Sequence, residues 1–156
     1  MSKNTQTFNL REGAFPIKMQ LVLEDIDLQN MGRLKDSIYG DIQISSISKD
    51  LFHCECSIST VFIDKCQSCL MDIEVNLKFS SNITIKDEAI MMNDDSNQTL
   101  THYQDLEYFN IKQLIQEEVS LNYPNIVKCE ENCFKTETVK KSEKNLPFKK
   151  IRDLID

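Results

Sequence analysis

"MDIEVNLKFSSNITI", residues 71–85, alternates apolar and polar side chains without interruption over its first nine positions. In an extended chain successive side chains point to opposite faces, so Ile73, Val75, Leu77 and Phe79 share one side while Asp72, Glu74, Asn76 and Lys78 share the other. A strand with one apolar and one wet face belongs to a sheet covered on one side only, which is the antiparallel habit.

Two earlier stretches repeat the pattern. "FPIKMQLVLEDIDL", from residue 15, puts Ile17, Met19, Leu21 and Leu23 on one side and ends as a strand near Asp25. "IYGDIQISSISKDLFHCECSISTVFI", residues 38–63, alternates again, with Gly40 expected as a bend between elements. Its Phe52, Cys54, Cys56, Ile58 and Phe62 share a face opposite His53, Glu55, Ser57 and Ser59, so Cys54 and Cys56 read as core residues, a place that a small apolar thiol fills well.

The period changes at Asn110. In "NIKQLIQEEVSLNYP" Asn110 can cap a helix, Ile111, Leu114, Ile115 and Val119 share one helical face, and Pro124 forbids continuation. The expectation is an α+β fold, an antiparallel barrel- or sandwich-like sheet from strands around 15–23, 42–63 and 71–85, packed against one main helix over 111–121. Between them "KDEAIMMNDDSNQTLTHYQD", residues 86–105, has acids and amides but no sustained period, and is expected as an acidic, mobile loop. A polar, lysine-rich loop is expected over 134–146, and Phe148, Ile151, Leu154 and Ile155 could anchor the tail.

A chain of 156 residues with 40% apolar content suits one domain over 1–156, with a core that removes roughly 70% of the unfolded surface from water. The opening "MSKNTQTFNLREGAF" lacks the apolar stretch of a signal peptide, and no later run approaches the ~18 apolar residues of a membrane span. The expected location is therefore cytoplasmic, where thiols stay reduced and six cysteines point to metal ligands or core fillers more than to disulfides. A net charge of -7 argues against an all-over basic surface for gripping phosphates. An RNA partner would have to be met by a local patch or through another protein.

Cys66 and Cys69 form a C-x2-C pair and Cys129 and Cys133 a C-x3-C pair. Each spacing lets two sulfurs reach one ion from a tight turn, and together they supply the four donors of a closed tetrahedral zinc site. Such a site would be structural, because it leaves no position for water or substrate. Ordinary reduced cysteines are the bland alternative. A thiol-disulfide oxidoreductase working through Cys66 and Cys69 is the catalytic alternative, but it asks for a helix N-terminus after the pair, and here a strand comes next.

Other chemistry has less to stand on. His53 and His102 lie far apart, one on a strand's polar face and one in the acidic stretch, and both are expected to be solvated. No G-x-S-x-G, H-E-x-x-H or phosphate-binding glycine loop occurs, and the chain holds only three glycines. Asp87, Glu88, Asp94 and Asp95 could meet a cation or a basic protein, although a solvated stretch is the simpler reading. Lys140, Lys141, Lys149 and Lys150 belong to the one basic concentration, which neighbouring acids dilute.

The order of these pieces resembles the YceD family of bacterial large ribosomal RNA subunit accumulation proteins, also found in plastids. The matching pieces are "CQSCL" at residues 66–70, "NIKQLIQEEVSLNYP" at 110–124, "CEENC" at 129–133 and "PFKKI" from Pro147. Asn110 stands where the family usually has Asp, and "FKTETV" comes after Cys133 where many members continue with a further cysteine element. The resemblance implies a non-enzymatic ribosome-biogenesis factor supporting large-subunit rRNA, with the rRNA or a pre-ribosomal particle as partner, reached directly or through a basic ribosomal protein. It implies no catalytic site and no small-molecule substrate.

Overall fold

The computed structural model describes residues 7–26, 28–29, 31–93 and 101–129. In chain order these form β1 (Thr7–Phe8), β2 (Ile17–Leu23), β3 (Arg33–Leu34), β4 (Ile38–Ser48), β5 (Leu51–Lys65), β6 (Asp72–Asp87), a 3-10 turn (Glu88–Asn93), β7 (Thr101–Gln104), β8 (Phe109–Asn110) and α1 (Ile111–Asn122). The axis of the molecule is the antiparallel β5–β6 hairpin, in register from Leu51 opposite Lys86 to Lys65 opposite Asp72. β4 and then β2 continue the sheet on one side, β7 adds to β6 on the other, and the short β3 pairs with the far end of β5. Among the described residues the sheet does not close into a barrel, since its path ends at β2 and β7. β1 and β8 form a separate two-stranded piece.

Alternation decides which face is covered. Phe52, Cys54, Cys56, Ile58 and Phe62 of β5 are buried, and Leu77, Ile83 and Ile85 continue that layer on β6. Ile73, Val75 and Phe79 point the same way and are half-buried, while Asp72, Glu74, Asn76 and Lys78 are exposed. Across this layer lies α1, whose Ile111, Leu114, Ile115 and Val119 are all fully buried. Each such side chain contributes on the order of 2 kcal/mol by leaving water, so the stripe as a whole rivals the net stability of a small domain. The Asn110 side chain accepts from Lys112 N–H at 3.0 Å to cap the helix. Tyr123 and Pro124 end it.

Four expectations need correction. The stretch over 42–63 is not one element but two strands: the buried alternation stops after Ile44, the pairing shifts register between Ser46 and Ser48, and Lys49 and Asp50 turn the chain from β4 into β5. Gly40 is not a bend. It sits inside β4 opposite Leu21 and Ile58, with room for a Cβ. The region 86–105 is not one loop, since β6 extends to Asp87, a 3-10 turn comes after it, and Thr101–Gln104 pairs with β6. That last pairing is parallel, so the sheet is mixed rather than antiparallel throughout. The strand carries no apolar alternation because its inward positions are His102 and Gln104, which are polar yet buried.

No helix among the described residues is long and apolar enough to cross a membrane.

Candidate metal centre

β5 ends at Lys65, and the chain must reverse within six residues to begin β6 at Asp72. It does so through the Cys66–Met71 turn. Cys66 N–H donates to Met71 C=O at 2.9 Å, and Leu70 N–H donates to Cys66 C=O at 2.8 Å. The reversal forces Leu70 to φ 62, left-handed backbone that a branched side chain enters at a cost of about 1–2 kcal/mol. Its side chain gains nothing in return, being 69% exposed. This turn brings Cys66 and Cys69 together at the tip of the long hairpin.

Cys129 arrives from the other side of the molecule. Tyr123, at the end of α1, packs edge-on against Phe62 of β5 with ring centroids 5.2 Å apart. Its hydroxyl donates to Asp64 Oδ2 at 2.5 Å and accepts from Gly32 N–H at 3.2 Å. Burial, and then the bond to Asp64, pushes that phenol up to about 12, so it stays a donor throughout the physiological range. Gly32 can approach because it lacks a side chain, as a Cβ there would lie 2.4 Å from Ile63 O. The helix end is thus pinned two residues before Cys66, and the next segment runs beside the turn. Gln67 N–H donates to Val127 C=O at 2.8 Å, and the Gln67 side-chain amide donates to Asn125 C=O at 3.3 Å.

The result is a cluster of Cys66, Cys69 and Cys129, whose sulfurs all lie within 4.8 Å of one another. The Cys69 and Cys129 sulfurs lie 3.5 Å apart. A disulfide would require about 2.05 Å, so these are reduced sulfurs brought close without a bond. Four sulfurs placed tetrahedrally at ~2.3 Å around one zinc would be about 3.8 Å apart, which is the scale seen here. The backbone adds to the fit, because Ser68 N–H and Cys129 N–H each donate to Cys66 Sγ at 3.4 Å. Donors aimed at a sulfur favour its anionic, metal-binding form. The cluster can therefore hold a metal ion. Beside it lies a cleft of about 450 Å³ lined in part by Ile73, Val75, Pro124, Ile126 and Cys129.

The other candidates fall differently. Cys133, Asp94, Asp95, Lys140, Lys141, Lys149 and Lys150 lie outside the described residues. Asp87 is committed within the fold: it pairs with Arg11 at 2.6 Å and accepts from Ala89 N–H at 3.0 Å, and Arg11 also reaches Asp50 at 3.2 Å and Glu107 at 3.5 Å. Glu88 is exposed. Cys54 and Cys56 sit in the core as expected, and burial pushes their thiols up to about 12 and about 11.

His102 is buried rather than solvated. Its Nδ1 meets Glu117 and its Nε2 lies 2.7 Å from the Gln104 amide nitrogen. Gln104 is oriented by two bonds to Asn110, accepting its N–H at 2.8 Å and donating to its C=O at 2.9 Å. The nitrogen that faces His102 is therefore a donor, so His102 Nε2 accepts and Nδ1–H is given to Glu117.

Glu118 is a buried acid that the motifs do not single out. It is 3% exposed, with one carboxylate oxygen lacking a hydrogen-bond partner. A signal was present, since position 118 falls on the stripe of 111, 114 and 115. Burial raises its carboxyl above the ordinary value, more than the Ser81 hydrogen bond lowers it.

Comparison with protein-family models, with curated proteins and with solved structures finds no match to this chain.

Proposed function

We propose that the chain is a non-enzymatic assembly factor of the YceD type, supporting accumulation of large-subunit ribosomal RNA in the cytoplasm, and that its cysteines hold a structural zinc ion. The observation that carries this reading is the meeting of "CQSCL" with the first cysteine of "CEENC" across 60 residues, the two elements whose order produced the family resemblance. Cys133 is the fourth donor in this proposal, completing a thiolate set that closes the site to substrate. The ion then acts as a clamp, fastening the hairpin tip to the segment after the helix.

An acidic chain of net charge -7 meets a basic ribosomal protein more easily than naked RNA, because neutralising phosphates supplies most non-specific affinity for nucleic acid. Exposed acids such as Glu88, together with Asp94 and Asp95, are the proposed contact for such a protein. Lys140, Lys141, Lys149 and Lys150 are the contact if RNA is touched directly. The thiol-disulfide alternative has less behind it. The Cys66–Cys69 turn leads into a strand rather than the start of a helix, and Cys66 is fully buried, out of reach of a substrate disulfide.

Sucrose-gradient profiles of cells with and without the gene test the role. Loss of the protein is expected to lower the ratio of large to small subunits, with large-subunit rRNA scarce and small-subunit rRNA normal. Unchanged profiles would defeat the assembly reading. Neutralising the acids should weaken association if a basic protein is the partner, and neutralising the four lysines should weaken it and reduce the salt slope if RNA is.

A further inference from the structure

The three sulfurs of the cluster are not equivalent. Cys66 is fully buried and accepts two backbone N–H groups, whereas Cys69 and Cys129 are both partly exposed. The sulfurs of those two lie 3.5 Å apart, one on the β5–β6 turn and the other on the segment after α1. An oxidant arriving from water therefore meets two neighbouring sulfurs and is kept from the third.

We propose that Cys69 and Cys129 form a peroxide-sensitive pair that closes to a disulfide, linking the β5–β6 turn covalently to the segment after α1. The pair stands on its own geometry. It rests on the metal reading only for the accompanying loss of metal.

The chemistry balances with hydrogen peroxide as the oxidant. One thiolate sulfur attacks a peroxide oxygen, the O–O bond breaks, hydroxide leaves, and a sulfenic acid forms. The second thiolate attacks that sulfur, the S–S bond forms, the S–O bond breaks, and a second hydroxide leaves. Two electrons pass from the sulfurs to the peroxide, and two protons from solvent convert both hydroxides to water. The sulfurs must close from 3.5 Å to about 2.05 Å, a movement within reach of side-chain rotation on a surface turn. An ion held by this cluster then loses two of its donors and is released, because zinc needs four. Metal loss and cross-linking thus become one event, in which the covalent link takes over the clamp that the ion provided.

The test uses the full-length chain, purified without oxidant and assayed first for bound metal. Hydrogen peroxide is added in small molar excess beside a chromophoric zinc chelator, and the products are mapped as non-reduced peptides. The expected result is a dominant linked peptide containing Cys69 and Cys129, with one ion released for each link formed. Dithiothreitol with added zinc should reverse both changes. Dominant linkage through Cys66 or Cys133, or sulfinic and sulfonic acids without linkage, would overturn the proposal. A protein that carries no metal yet forms the Cys69–Cys129 link supports the pair and removes the metal reading. Bound metal with no linked peptide does the reverse.

Discussion

Cys54 and Cys56 lie within a dozen residues of Cys66 on the same strand and its turn, yet the two groups sit in opposite chemical settings. Inside β5, alternation points Cys54 and Cys56 into a layer of Phe52, Ile58 and Phe62, where burial holds the thiols protonated. At the hairpin tip alternation ends. Backbone N–H groups there turn toward sulfur, and a thiol from a distant segment comes within 3.5 Å. Desolvation among apolar side chains makes a cysteine a small filler even where one N–H reaches it, as that of Ser81 does Cys56, whereas two N–H donors and thiols from two segments within 4.8 Å suit Cys66 to hold a metal ion.

The sharpest way to break that contrast is to remove sulfurs from each group in turn. Cys66→Ser should lower unfolding stability by several kcal/mol, since metal binding in such sites feeds directly into folding. A strong chelator should reproduce most of that loss in the wild-type chain. Cys56→Ala should cost only about 1 kcal/mol, the scale of one small buried group, and the cost should not change with chelator. Urea unfolding of the three proteins, with and without chelator, measures both. Equal losses that ignore the chelator would erase the distinction.

Glu118 sharpens the comparison from the core side. A carboxyl whose folded pKa is raised binds its proton more tightly in the folded state, so its contribution is full below the unfolded value near 4.5 and is lost as pH rises through the raised folded value. Glu118→Met removes the buried oxygen that lacks a partner. The variant should be more stable than wild type by about 1–3 kcal/mol at pH 8, with the gain shrinking toward pH 4. Urea midpoints across that range check the sign. A gain that grew as pH fell would contradict it.

The smallest effect belongs to the turn. Leu70→Gly relieves the left-handed strain and loses almost no buried surface, so it should stabilise by less than about 1 kcal/mol. Thermal melts of the two proteins would show it.

These particulars also mark what the sequence made legible. Period-2 runs exposed the faces of β2, β5 and β6, and the 3.6 period exposed the stripe of α1. The Cys54–Cys66 contrast was readable too, one group lying within an alternating run and the other at its end. β7 was not legible, because a four-residue strand whose buried positions are His102 and Gln104 carries no apolar signal. The turn at Lys49 and Asp50 was masked because Ile42 and Ile44 before it and Phe52 and Cys54 after it fall on the same alternate positions, although the polar run from Ser45 to Asp50 breaks the apolar pattern between them. The two cysteine spacings did point to Cys129 meeting Cys66 and Cys69, but not to the route, in which Tyr123 reaches Asp64 and Gly32. The engagement of Asp87 within the fold was hidden for a similar reason, since Arg11 is 76 residues away in the chain.

The central claim is that one metal ion clamps the hairpin tip to the segment after the helix. X-ray absorption at the zinc edge, on natively purified full-length protein of known metal content, tests it most directly. The account predicts one zinc per chain and a shell of sulfur donors alone at about 2.3 Å, both lost in Cys66→Ser. A chain purified without zinc, or a shell built from nitrogen and oxygen, would contradict it.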